Sequence, residues 1–220
     1  MLSTKKRVII VNQYLYDSGE RIARLEKAVR ARLPDQLLLD TLNFRDLEPN
    51  TLHKSSHGLI LSGRDSRGRD EATRKELTLL YSKEKDFLER YLNPILGVCF
   101  GSQLLSLTHG ESLRSVGKHR GWQQIHLLTK EDPLLSGVPE VFAAFEAHTR
   151  VTITPAKSFD VLGETFDGEP QIIKSRKHES HYGFQFHPEI VDAEREDIGS
   201  ILISNFLQLI DADNQNKEQN

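Results

Sequence analysis

A single cysteine occurs in the 220-residue chain, and its neighbours decide what it does. By itself a lone cysteine is more often a small buried hydrophobe than a catalyst. Cys99 sits in Gly97-Val98-Cys99-Phe100-Gly101, directly after the apolar run Pro94-Ile95-Leu96 and before the apolar segment Ser102 to Leu107. A nucleophile one residue from glycine on each side is the pattern of a strand-to-helix elbow. The turn is sharp, and a Cβ at either glycine position crowds the backbone. A thiol held there stands at a helix N-terminus, where the helix field favours the thiolate. The peptide N–H of Phe100 then points at an oxyanion formed on an attacked carbonyl. The pattern is short, and a tightly packed structural connection produces it too, so other residues must support the chemical reading.

Tyr182-Gly183-Phe184-Gln185-Phe186-His187-Pro188-Glu189 supplies that support. A cysteine nucleophile needs a histidine to manage its proton, and the histidine needs a third group to hold its tautomer. His187 and Glu189 provide both. The apolar strand before them presents His187 at its end, where parallel sheets place their chemistry. His148 has no following carboxylate pair and ranks below His187 as a base. His178-Glu179-Ser180-His181 lies in a polar stretch and reads as a solvent-exposed pair rather than metal ligands. Trp122 reads as a packing residue. The loop Gly63-Arg64-Asp65-Ser66-Arg67-Gly68-Arg69 lacks the Gly-Lys-Ser/Thr ending of a phosphate-binding loop. One cysteine excludes an internal disulfide and a multi-cysteine zinc site, and no metal or other cofactor is expected.

The elements that must position these residues follow from periodicity. Val8 to Val11 is a short β-branched run, as in a strand buried on both faces. Ile22, Leu25, Val29 and Leu33 recur at helical spacing over Glu20 to Leu33, and Pro34 stops that helix. Gln36–Asp40, Gly58–Ser62 and Pro94–Val98 read as further strands. A long amphipathic helix over Asp70 to Tyr91 presents Leu77, Leu80, Phe87 and Leu88 on one face. Strands alternating with helices imply βαβ units and an α/β fold with a mostly parallel, doubly wound sheet. Beyond about residue 110, the segments Gln124–Leu128, Val141–Ala147, Val151–Ile153, Val161–Glu164, Gln171–Lys174 and Tyr182–Phe186 read as antiparallel additions. A final helix spans Ala193 to Ile210. The expectation is one domain over 1–210 and a disordered tail over 211–220.

Hydrophobic residues at 37% and charged residues at 28% are ordinary for a globular protein. The net charge of -3 argues against broad binding to nucleic acid or to an anionic membrane. No apolar run approaches the roughly 20 residues that span a bilayer. MLSTKKRVIIVNQ reads as a first strand rather than a signal peptide, which predicts a cytoplasmic protein.

The two segments around Cys99 and His187, taken together, closely resemble the class I glutamine amidotransferases, and the order of motifs fits from Val8 to about Ile210. The resemblance implies a flavodoxin-like sheet and a cysteine acylated by the glutamine side chain, with loss of ammonia and hydrolysis of the γ-glutamyl thioester. It assigns Cys99 as nucleophile, His187 as general base and acid, and Glu189 as the residue orienting His187. It further implies backbone oxyanion donors at Gly63 and Phe100, and contacts to glutamine from Gln103 and from the backbone near His148 and Thr149. Gly121-Trp122, Asp132-Pro133-Leu134-Leu135-Ser136-Gly137-Val138-Pro139 and Phe145-Glu146-Ala147-His148 look like the stand-alone branch, which includes the GMP-synthase-type glutaminase domain and γ-glutamyl peptidases.

Three positions depart from that pattern. Arg64 follows Gly63 where a small or imino residue is usual, which leaves simple tolerance or an anion site shared with Arg67 and Arg69. Ser102 stands where many members carry His or Met. Thr149-Arg150 follows His148 where GMP-synthase-type domains carry an acidic residue. The leading reading is a glutaminase that passes ammonia to a separate synthase. A free-standing γ-glutamyl hydrolase or peptidase, a non-catalytic regulatory relative and the chaperone- and peptidase-like cysteine-elbow fold are the alternatives.

Overall fold

Val8-Ile9-Ile10-Val11 offers no polar side chain to water, and it forms the middle of β1, Lys6–Asn12, an inner strand of a sheet covered on both faces. The computed structural model describes residues 5–14, 19–48, 52, 55–64, 81–152 and 156–218. β1 lies between β2, Leu37–Asn43, and β3, Gly58–Leu61, and β3 pairs with β4, Ile95–Val98; all these pairings are parallel. Strand alternation then divides the core between two faces. Val8 and Ile10 pack in one cluster with Leu25 and Val29 of α1, Gly19–Arg30. Ile9 and Val11 pack in the other with Leu59, Leu61, Phe87 and Leu88. Phe87 and Leu88 belong to α2, helical over 81–88, on the C-terminal part of the long helix that periodicity predicts. Positions 70–80, with Leu77 and Leu80, lie outside the described residues.

Helix α3, Phe100–Thr108, follows β4 directly. The second half of the chain supplies β5, Leu113–Leu127, β6, Val141–Thr152, β7, Phe159–Thr165, β8, Pro170–Ser175, and β9, His181–Phe184. The nine strands form one sheet in the order β2-β1-β3-β4-β9-β8-β7-β5-β6. As the sequence predicts, the parallel core carries antiparallel additions. β9 differs: it is antiparallel to β8 but parallel to β4, so it belongs to the parallel core and ends where β4 ends.

Three boundaries also differ. Val141–Ala147 and the stretch from Val151 join into the single strand β6, because β5 starts at Leu113 and pairs along its length. The last helix, α4, is Ile198–Glu218 and starts later than Ala193. Asp197 accepts from the Ser200 N–H at 3.0 Å and caps it there, whereas Asp192 accepts from the Glu194 N–H in a local turn. At the other end, the backbone stays helical through Glu218, where the composition predicts a disordered tail from 211. Each added residue of an anchored helix gains one hydrogen bond without a new nucleation cost. Asp211 supplies an anchor by pairing with Lys6 at 3.3 Å. No described helix is long and apolar enough to cross a membrane.

Candidate active site

Because β3, β4 and β9 are parallel, residues just past their C-terminal ends converge. Cys99 follows β4 at φ 52° and ψ −103°, the one non-glycine residue at positive φ among the described residues. Such a conformation costs about 1–3 kcal/mol and persists only where its surroundings fix it. They do. A Cβ on Gly97 would lie 2.5 Å from the Ser102 backbone nitrogen, and one on Gly101 would lie 2.3 Å from the Leu61 carbonyl oxygen. The Cys99 N–H donates to the Phe184 carbonyl at 2.7 Å, and the Gln103 N–H donates to the Cys99 carbonyl at 3.2 Å, opening α3.

His187 lies beyond β9, where its N–H donates to the Phe145 carbonyl of β6 at 2.8 Å. Its Nδ1 is 2.8 Å from Glu189 Oε1. An ionised carboxylate only accepts, so Nδ1 carries the proton. The same ring hydrogen-bonds the sulfur of Cys99. Burial opposes charge on this imidazole, but the Cys99 side chain and then the Glu189 carboxylate outweigh it and hold the His187 pKa well above 6.5. The structure therefore brings Cys99, His187 and Glu189 into one hydrogen-bonded row, all buried.

Gly63, beyond β3, faces this row. A Cβ on it would lie 3.2 Å from His187 Cε1 and 3.7 Å from Cys99 Cβ. The Ser62 hydroxyl holds the loop by accepting from the Gln13 N–H at 2.9 Å and donating to the Gly63 carbonyl at 2.8 Å. The Gly101 N–H donates to the Ser62 carbonyl at 3.1 Å, tying the loop to the start of α3 beside Phe100. Gln13 in turn donates to Glu84, whose carboxyl is pushed up to about 8 by burial against the opposing Gln13 hydrogen bond.

Gln103 shares a helix face with Cys99, and its amide donates to the Arg150 carbonyl at 2.8 Å and to Gln185 Oε1 at 3.2 Å. The Gln185 amide nitrogen is 4.0 Å from Cys99 Sγ. Strand β6 passes Cys99, with the Ala147 carbonyl oxygen 3.9 Å from Sγ. Thr149 is exposed, and its carbonyl accepts from Ser115 at 3.5 Å; the His148 ring is buried on the other register of the strand. Two residues beside the row have no role in the sequence reading, Gln185 and Tyr14. Gln185 directly follows β9 and lies two residues before His187, which is the signal that finds it. Tyr14 lies two residues past β1, and its hydroxyl would be 3.2 Å from a Cβ on Gly63.

The Arg64 guanidinium lies 4.1 Å from the Phe100 ring centre, 5.5 Å from that of Tyr81, and hydrogen-bonds Tyr81. Its charge is occupied by the aromatic pair beside the elbow, which fits tolerance better than an anion site; Arg67 and Arg69 lie outside the described residues. Trp122 packs edge-on against Phe145 at 5.8 Å. The expected exposure of the His178–His181 pair is overturned at His181, which is fully buried. His181 opens β9, donates from Nε2 to the Asn93 carbonyl at 3.1 Å and packs against the tilted His178 ring at 4.5 Å, so sheet pairing outweighs the polar neighbours.

The family profile of glutamine amidotransferase class-I matches residues 42–207, most of the chain. The chain belongs to the class I glutamine amidotransferases. Among relatives of this amidotransferase, a glutamine-hydrolyzing GMP synthase subunit from Methanococcus maripaludis is 30% identical over 204 residues, 90% of this chain and 94% of that one. The protein of the same name from Methanococcus aeolicus is 25% identical over 209 residues, 92% of this chain and 96% of that one. A solved glutamine amidotransferase from Thermotoga maritima superposes with a TM-score of 0.72 at 18% identity, covering 94% and 98% of the two chains, and shares the fold.

Proposed function

We propose that this amidotransferase hydrolyses the side-chain amide of glutamine through Cys99 and releases ammonia for a separate synthase. The observation that carries the reading is the row Cys99–His187–Glu189, with the cysteine on a strained elbow and the imidazole charged beside it. Cys99 Sγ attacks the amide carbon, and the oxyanion takes the backbone N–H groups of Phe100 and Gly63. His187 gives its proton to the departing nitrogen, ammonia leaves, and a γ-glutamyl thioester remains. Neutral His187 then takes a proton from water, the hydroxide adds to the thioester, and glutamate leaves as the thiolate–imidazolium pair reforms. Glu189 fixes the tautomer and balances the imidazolium through both steps. Gln103, with the backbone around His148 and Thr149, holds the glutamine.

The relatives named as GMP synthase subunits support a partner that consumes the ammonia, and their name makes GMP synthesis the first destination to test. The experiment is glutamate and ammonia release from glutamine by the purified chain, alone and with its synthase partner, against Cys99→Ser. Hydrolysis of glutamine that rises when the synthase is added supports the reading. Rapid cleavage of γ-glutamyl peptides by the chain alone, with glutamine untouched in both conditions, overturns it in favour of a free-standing γ-glutamyl hydrolase.

A further inference from the structure

Strand alternation puts Glu146 and His148 on the same side of β6, and antiparallel pairing sets His119 of β5 directly opposite His148. Gly121 lies opposite Glu146 and brings no side chain to cover it. His148 Nε2 is 3.3 Å and His119 Nδ1 is 3.7 Å from the same atom, Glu146 Oε2. Among the described residues, this is the group of three such side chains whose donor atoms all lie within 4.8 Å of one another.

The Glu146 side chain is 0% exposed and that of His148 1%. Neither carboxylate oxygen of Glu146 and neither ring nitrogen of His148 has a hydrogen-bond partner. A buried carboxylate left this way is costly, and buried charges are normally paired, hydrogen-bonded or bound to a metal. The short approaches lack hydrogen-bond alignment, as happens when donors aim at a shared point rather than at each other. Donor atoms about 2.1 Å from a tetrahedral zinc ion lie about 3.4 Å apart, close to the 3.3 and 3.7 Å that separate the two ring nitrogens from Glu146 Oε2. Charge points the same way. Glu169 Oε2 is 3.5 Å from His119 Nδ1, and Arg114 pairs with Glu169 at 3.4 Å, while among the described residues Glu146 has only the two imidazoles.

We propose that His119, Glu146 and His148 form a binding site for a divalent zinc ion, with a fourth position open to solvent past His119, whose side chain is 32% exposed. Two imidazoles and one carboxylate are a donor set that suits zinc and leaves a coordination position free. The ion clips β5 to β6 one residue from Ala147, whose carbonyl lies beside Cys99. The side chains are separate from the catalytic row, although His148 lends its backbone to the proposed glutamine contact, so the test reads zinc and not activity.

The test is zinc binding by calorimetry, with metal content after dialysis, on the full chain carrying Cys99→Ser so that the thiol is not itself a ligand. The expected result is one zinc per chain, and a melting temperature raised by roughly 5–10 °C at a hundredfold excess over Kd. His119→Ala and Glu146→Gln each weaken binding by more than about a hundredfold, beyond the 10–100-fold cost of losing an outer partner of a ligand. Melting of each variant in chelator shows that it is folded; if Glu146→Gln is not, the partly exposed His119→Ala decides. Cobalt in place of zinc gives an intense tetrahedral visible spectrum lost with His119. No zinc above background, or equal zinc in the folded variants and their parent, overturns the site.

Discussion

His181 and His187 stand at the two ends of one strand, are both largely buried, and have opposite charge states. His181 opens β9 with His178 and His109 as neighbours, and its pKa is lowered to about 3, first by burial and then by those two rings, against the carbonyls of Asn93 and Tyr91. His187 follows β9 between Cys99 and Glu189, and its pKa is raised well above 6.5 although burial acts on it too. Desolvation alone makes a histidine neutral; the cysteine and the carboxylate at contact distance reverse the result. The C-terminal end of the parallel sheet gathers anionic partners around its histidine, and the N-terminal end does not. One end suits the proposed chemistry and the other serves packing.

Removing the charged ring puts the most strain on that contrast. His187→Asn lowers kcat for glutamine hydrolysis by about 10²–10⁴-fold, measured as ammonia release at saturating glutamine. A comparable loss from substituting His181, with the fold intact, would erase the distinction between the two ends.

The next largest effect comes from the partner of the charged ring. Glu189→Gln keeps the shape but removes the charge beside Nδ1, so the His187 pKa falls. The alkaline limb of the kcat/KM profile, where His187 loses its proton, moves down by roughly 1–3 pH units. An unmoved limb would mean that Glu189 does not face the charged imidazole.

How much of this contrast is legible in sequence varies by residue. That Cys99, His187 and Glu189 belong together is readable because a sharp turn demands its flanking glycines and because the string from Tyr182 to Glu189 resembles that of the class I glutamine amidotransferases; their contact is what the fold adds. The parallel core is readable because two-sided burial leaves runs such as Val8–Val11 with no polar alternation. β9 is readable only in part: Tyr182–Phe186 reads as a strand, but as an antiparallel addition, and His181 before it reads as polar loop; the pairing with β4 shows the strand to be parallel there and His181 to be buried. The His119–Glu146–His148 cluster is invisible for a related reason: its members are 27 and 29 positions apart from His119, and only the β5–β6 register joins them. Gln185 and Tyr14 escape notice because their significance lies in what the ends of two strands bring together.

A smaller effect tests the packing end. An unfolded histidine gains its proton as pH falls below about 6.5, whereas His181 stays neutral in the fold until about 3. The unfolded state binds more protons over that window, so stability falls as the pH drops from about 6.5. His181 alone accounts for up to about 1.4 kcal/mol per pH unit. His181→Gln, whose amide still donates toward Asn93, flattens the fall in melting temperature between about pH 6.5 and 4. His187 has the opposite sign: its contribution is complete below about 6.5 and is lost as pH rises through its raised pKa. Cys99→Ala removes the first of the contacts that raise it and therefore reduces the alkaline loss of stability.

That Cys99 is the nucleophile stands at the centre, and covalent trapping reaches it most directly. The chain is incubated with a chloroketone analogue of glutamine, digested and read by mass spectrometry. The expected result is one adduct, on Cys99, slowed by competing glutamine and by His187→Asn. An unmodified Cys99 under excess reagent, both alone and with the synthase partner present, would contradict the assignment.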